Sequence, residues 1–208
     1  MNSPTASFGR FFDTKRGTML SKSQLISLIK QAVAEFYSKD AVLLKIRGLE
    51  RTCASRIAIY LQELISKERG CKKIYVDCEY GKAADKDGVF LNKQLKGQGI
   101  RFAEQYKGQV FPDLIVHERA SHRRNLMVIE IKGAWHEHVS CWEHDHKKLQ
   151  AFTRQTLETA TEASEYFDYK LGVFLMLGLT KPHYAFYENG AIVQGKEPKE
   201  LFKQRNKR

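Results

Sequence analysis

The sequence has little cysteine, no long apolar run and a shortage of acid. Its four cysteines, Cys53, Cys71, Cys78 and Cys141, are scattered and form no CxxC pair. That excludes a disulfide framework and an all-cysteine zinc site. They read as reduced, partly buried thiols of a cytoplasmic protein. The first twenty residues lack the apolar core of a secretory signal. The best apolar run, Leu171 to Leu179, is too short to span a bilayer and reads as a buried strand, so no membrane association is expected. No internal repeat is visible. Aspartate and glutamate number 24 against 35 lysines and arginines, a formal net charge of +11. Such an excess fits a polyanionic partner, nucleic acid above all. The plainer reading, a soluble basic surface, accounts for the charge without a binding site.

A chain of 208 residues, 42% apolar, suffices for one domain with a sizeable core. Residues 1–20 read as a polar, flexible N-terminus, 21–195 as the folded domain and 196–208 as a basic tail. Ser21 offers an N-cap, and Leu25, Ile26, Leu28, Ile29, Ala32, Val33 and Phe36 follow at helical spacing, ending near Ser38. A second helix runs from about Arg47 to Lys67, with Ala54, Ile57, Leu61 and Leu64 or Ile65 facing inward. Lys72 to Tyr80 reads as a strand with Tyr75, Asp77 and Glu79 on one face. Gly81 to Gly108 reads as a charged, loop-like insertion carrying Lys82, Lys86, Lys93, Lys96, Arg101 and Lys107. It either embraces nucleic acid or is a solvated excursion. A further helix is expected from Asp145, as its cap, to about Phe167. Tyr169 to Leu177 follows as a strand, then a hairpin turning on Asn189-Gly190.

The chain is organised around Phe111 to Gly133. Leu114-Ile115-Val116 and Leu126-Met127-Val128-Ile129 are two short apolar strands joined by a polar turn. Charge sits at their ends: Asp113 after Pro112, and Glu130 and Lys132 around Ile131. Alternation puts Glu130 and Lys132 on one face, and pairing of the strands can bring Asp113 to them. Two acids would hold a hard cation through oxygen, and the Ile131 carbonyl offers another ligand. Lys132 would reach a phosphate or the attacking water. Such a site suits metal-assisted phosphodiester hydrolysis. The plainer reading is a structural ion pair, because acids and a lysine beside an apolar strand are costly unless paired or metal-bound.

At these residues the chain resembles the PD-(D/E)xK nucleases, the restriction-endonuclease-like superfamily. Pro112-Asp113 and then Glu130-Ile131-Lys132 match the motif that names it. The likeness extends over about residues 47 to 180. Leu49-Glu50-Arg51 with the helix that follows, Val76 to Tyr80, Pro112 to His117 and Asn125 to Lys132 occur in the order found in a little-characterised bacterial branch. Gly81 stands where that branch usually has Asn, and Gly133 where a second Lys is common.

The resemblance implies an α/β fold: a central mixed β-sheet flanked by helices in the order αβββαβ, with the first helix as an N-terminal addition. It implies a divalent-metal-dependent nuclease using Mg²⁺ or Mn²⁺, with DNA favoured over RNA. Asp113, Glu130 and Lys132 would be catalytic, and Asp113, Glu130 and the Ile131 carbonyl metal ligands. Glu50 maps as a further acid of the metal site; its alternative is a helix N-terminal Glu favoured by the macrodipole. Arg51, Arg101 and Lys148 are candidate contacts to nucleic acid. Cutting both strands of a duplex would favour a homodimer. The rival function is a binding module on a nuclease-like scaffold that does not cut. A third reading concerns His136, His138, Cys141, His144 and His146, whose ligand types suit a transition metal but whose spacing matches no zinc pattern. Trp135 and Trp142 are either base-stacking platforms or core anchors.

Overall fold

The computed structural model describes residues 20–80, 82–84, 90–92, 110–119, 124–133, 135, 139–154, 167–197 and 200. In chain order the elements are α1 (Lys22–Lys39), a 3-10 turn (Ala41–Lys45), α2 (Glu50–Lys67), β1 (Ile74–Cys78), β2 (Lys82–Ala84), β3 (Phe90–Asn92), β4 (Leu114–Glu118), β5 (Asn125–Gly133), α3 (Val139–Thr153), β6 (Leu171–Leu177), β7 (Pro182–Glu188) and β8 (Ala191–Gly195). The fold is α/β, with a six-stranded mixed sheet in the order β1-β4-β5-β6-β7-β8. Among the described residues, only β5 and β6 pair in parallel; the other pairs of this sheet are antiparallel. Parallel neighbours need a crossover, and α3 lies within it.

Helix α1 starts where the sequence places it. Ser21 caps it through a reciprocal box with Gln24, which satisfies two orphan donors of the first turn. Leu25, Leu28, Ile29, Ala32, Val33 and Phe36 form its buried face. On α2 the buried stripe includes Ala54, Ile57, Leu61 and Ile65. Both helices pack on one face of the sheet, against Leu114, Val116, Ile129, Ile131, Val173 and Leu175. Trp142, Leu149 and Phe152 of α3 pack on the other, against Ile115, Val128, Phe174 and Met176. Helices therefore cover both faces, as a sheet with buried central strands requires.

A register shift lies between β4 and β5. Val116 pairs with Met127 but His117 pairs with Asn125. Leu126 is the extra residue of this bulge, and both Leu126 and Met127 enter the core beneath α1 and α2. Beyond the bulge the alternation runs cleanly to Lys132. The β7–β8 hairpin turns on Asn189 at φ 51° and Gly190 at φ 78°, the left-handed pair that the sequence Asn-Gly favours.

Three expectations are corrected. Helix α3 spans Val139–Thr153, so Asp145 lies within it and is not its cap. The insertion is not all loop: β2 and β3 pair there as a two-stranded antiparallel sheet. The strand expected over Lys72 to Tyr80 is shorter, Ile74–Cys78, and Glu79 beyond it takes a left-handed φ of 48°. The N-terminal segment 1–19, Arg101, His136, His138 and the tail beyond Glu200 lie outside the described residues. Among the described residues no helix is long and apolar enough to cross a membrane.

Candidate functional site

The site lies where the end of β5 meets the head of β4, the first turn of α2 and the middle of α3. Alternation along β5 sends Ile129 and Ile131 toward α2 and turns Glu130 and Lys132 toward α3. Asp113 stands just before β4, and its Oδ2 accepts a hydrogen bond from the Ile131 N–H at 2.6 Å. Glu50, the first residue of α2, accepts from the Gly133 N–H at 2.5 Å. Two carboxylates from distant segments thus grip the backbone on either side of Lys132. Of the residues expected to gather, Asp113, Glu130, Lys132, Glu50 and the Ile131 carbonyl are brought to this one place.

Gly133 serves a second purpose here. A Cβ on it would lie 2.2 Å from the Trp135 indole, so only glycine lets that ring settle on the strand end. Trp135 packs against the core beneath α1 and α2. Trp142 is fully buried, with its ring centroid 5.8 Å from that of Phe174. Both tryptophans have core contacts, the commoner of the two roles considered for them.

Helix α3 adds two residues that the motif does not contain. Lys148 Nζ lies 2.6 Å from Glu130 Oε2 and 3.1 Å from Asp145 Oδ1. Asp145 Oδ2 faces Lys132 Nζ at 2.9 Å as an ion pair. Lys132 also donates to the Ile131 carbonyl at 3.3 Å and lies 3.9 Å from Glu50 Oε2. The result is a chain of alternating charge: Glu130, Lys148, Asp145, Lys132, Glu50. Glu130 is 1% exposed and Lys148 8%. Lys148, expected to contact nucleic acid, therefore points inward at rest. Arg51, the other described candidate, is on the surface and pairs with Glu79 Oε1 at 2.7 Å.

Burial and charge pull the acids apart. Burial pushes the Glu130 carboxyl well above the usual range; Lys148 opposes this, and Asp145 and Asp113 add to it. Burial likewise raises Asp113, against the pull of Lys132. Burial also disfavours charge on Asp145, but the Lys148 and Lys132 ammoniums outweigh it and hold that carboxyl below the usual range. Burial works against charge on Lys132 and Lys148 as well. The surrounding carboxylates, Asp145 foremost for Lys132 and Glu130 for Lys148, overcome it and keep both protonated.

No protein-family model, curated protein or solved structure matches the chain.

Counted as charges, Glu50, Asp113, Glu130 and Asp145 outnumber Lys132 and Lys148, so with every group ionised the cluster is anionic. Glu130 Oε1 is buried and has no hydrogen-bond partner among the described residues. An unsatisfied buried carboxyl oxygen is costly, and its companion oxygen is already taken by Lys148. Among the described residues, no three or more His, Cys, Asp or Glu side chains stand ready-made for a metal ion; the two ammoniums lie between the acids. With every group ionised, the site would offer the oxygen donors and the excess negative charge that a hard cation neutralises.

Asp145 is the residue that sequence reasoning placed wrongly. The signal was present: Trp142, Asp145, Leu149 and Phe152 follow one another at three- and four-residue steps, so a carboxylate interrupts an apolar stripe. A second polar group lies further along the sheet. His117 is buried, with its Nε2 2.9 Å from Asp77 Oδ2 and its ring 4.7 Å from that of Tyr80. Arg119 grips Asp77 through Nε at 2.8 Å and through its second nitrogen, and stacks on Tyr75. This group ties β1 to β4. Of the histidine cluster, His144 and His146 are described; His146 Nδ1 is 2.8 Å from the Tyr187 hydroxyl.

Proposed function

We propose that the protein is a divalent-metal-dependent nuclease that hydrolyses phosphodiester bonds of DNA, built on a restriction-endonuclease-like core. The observation that carries this reading is the meeting of Asp113, Glu130, Lys132 and Glu50 at one end of the central strands. They come from segments far apart in the chain: Glu50 lies 83 residues before Gly133, which it holds beside Lys132. The unbalanced acids and the orphaned Glu130 oxygen support a cation of charge two, Mg²⁺ or Mn²⁺. The net charge of +11 supports a polyanionic substrate.

Asp113, Glu130 and the Ile131 carbonyl would hold the ion, with Glu50 extending the set. When bound, the ion supplies Lewis-acid activation of water and of the phosphoryl oxygens. The chain's own residues do the rest. Lys132 carries a fixed positive charge beside the acids, where it stabilises charge growing on a phosphoryl oxygen. Asp113 and Glu50 hold the backbone at Ile131 and Gly133, which fixes where the Lys132 side chain starts. The buried surroundings weaken solvent screening, so each charge acts strongly.

The test is cleavage of plasmid, single-stranded DNA and RNA with Mg²⁺ or Mn²⁺, beside Asp113→Ala and Lys132→Ala prepared identically. The expected result is cutting of DNA by the native chain, loss of it in Asp113→Ala and a fall of roughly 100-fold or more in Lys132→Ala. Equal cutting by all three proteins would remove the assignment. One observation favours the rival: Lys148 already neutralises one oxygen of Glu130, as befits a scaffold that binds nucleic acid without cutting it. Salt-dependent DNA binding with no turnover under any condition would select that reading.

A further inference from the structure

Asp145 has no place in the acid–lysine motif, yet it lies at the centre of the charge chain. It occupies a buried position in the apolar stripe of α3, between Trp142 and Leu149. An apolar side chain there would pack without desolvating a charge, and buried ion pairs are weak stabilisers compared with apolar replacements. Packing therefore does not explain it. Its two oxygens are divided between two lysines, Lys132 at 2.9 Å and Lys148 at 3.1 Å.

We propose that Asp145 is a positioning residue that sets the Lys132 ammonium for reaction with the phosphodiester; this rests on the function proposed above. Three oxygens surround Lys132 Nζ: Asp145 at 2.9 Å, the Ile131 carbonyl at 3.3 Å and Glu50 at 3.9 Å. The nearest comes from α3, so the helix draws the lysine closer to Asp145 than to Glu50. Asp145 Oδ2 and the Ile131 carbonyl take two directions around the ammonium. An ammonium has three donors, so Lys132 keeps hydrogen-bonding capacity for a phosphoryl oxygen. Lys148, gripping Asp145 Oδ1 from the same helix, fixes the direction in which Asp145 points. The specificity of the arrangement lies in the helix: α3 is anchored by Trp142, Leu149 and Phe152 in its own core, and Asp145 carries that rigidity to Lys132.

The experiment pairs a structure with a mutant cycle. Asp145→Asn, Lys132→Ala and the double variant are compared with the native chain in single-turnover cleavage of plasmid DNA, and Asp145→Asn is crystallised. Asp145→Asn is expected to lower the rate of the chemical step roughly 100-fold, as misplacement of a reacting group by about an ångström does, with DNA affinity kept. It is expected to add nothing in the Lys132→Ala background, because its effect passes through that lysine. In the crystal, Lys132 Nζ is expected to have closed on Glu50. An Asp145→Asn loss that persists in full without Lys132, or a lysine that keeps its place, overturns the proposal. If Asp145→Asn fails to fold, Asp145→Glu keeps the charge while displacing it by one methylene; the same non-additivity with Lys132→Ala is expected, and full additivity overturns it. A native chain that cuts no substrate removes the nuclease reading, and the crystal structure alone then decides whether Asp145 places Lys132.

Discussion

Toward α1 and α2 the sheet presents Leu114, Val116, Ile129, Ile131, Val173 and Leu175, all buried. Toward α3 it presents Ile115, Val128, Phe174 and Met176, and with them Glu130 and Lys132. The same strands supply both faces, one residue apart. The first face is closed by contact among apolar groups, which have no direction and tolerate exchange for others of similar volume. The second is closed at one end by charges, each of which needs a partner at a fixed place. The sheet thus has apolar packing on both sides and buried charge at one end of the second.

The comparison is broken most severely by removing one partner of the buried pair. Lys148→Met leaves Glu130 buried without its cation, and a loss of about 4 kcal/mol in unfolding free energy is expected. The loss should shrink on acidification. Without the ammonium the folded-state pKa of Glu130 rises further above its unfolded value of about 4.3. The folded chain then binds a proton that the unfolded chain releases, so the variant gains stability as pH falls toward that lower value and loses it as pH rises. Urea unfolding at several pH values checks both the size and the sign. A pH-independent difference would mean that Glu130 is not the group left exposed to the penalty.

On the apolar face, Ile129→Ala is expected to cost about 3 kcal/mol, the sum of lost burial and a residual cavity. This loss should not vary with pH, which separates it from Lys148→Met. Gly133→Ala probes the junction of the two faces. Its Cβ meets the Trp135 indole, so a cost of about 2 kcal/mol is expected, with a fall in the proposed cleavage because the same residue holds Glu50. Full stability in Gly133→Ala would show that the indole moves aside. The smallest effect concerns Asp77. Arg119 lowers its carboxyl, burial opposes this, and His117 lowers it further. Its contribution is present above the unfolded pKa of about 3.9 and is lost as pH falls through the folded value. Because Arg119 is largely exposed, less than about 1 kcal/mol is expected. Melting of Asp77→Asn and the native chain at pH 7 and pH 3 should show a gap that closes in acid.

Much of the framework was legible. The buried stripes of α1 and α2 follow helical spacing, and the turn at Asn189-Gly190 needs two left-handed residues. The shared face of Glu130 and Lys132 follows from strand alternation alone, since the bulge at Leu126 precedes them. Local pattern failed where meaning depended on a distant partner. The first turns of α3, Val139 to His146, carry few apolar residues, so periodicity marks the start of that helix poorly. Lys148 reads as a surface cation because lysine usually is one; its burial depends on Glu130, 18 residues earlier. Asp145 reads as a cap because aspartate favours that position. The short β2–β3 pair lies in a stretch whose glycines and lysines give little strand signal.

The path of the chain through α3 also bears on when the site first exists. Glu50, Asp113 and Glu130 all leave the ribosome before α3 does. The helix then needs Phe174 and Met176 of β6, and Ala185 and Tyr187 of β7, to complete its core. Since β6 lies beside β5 in parallel, its pairing must wait for the whole crossover. A nascent chain therefore carries the motif long before it carries the finished charge cluster. Assembly of the cluster waits for the last third of the protein, so a truncated or partly folded copy lacks the finished set of charges.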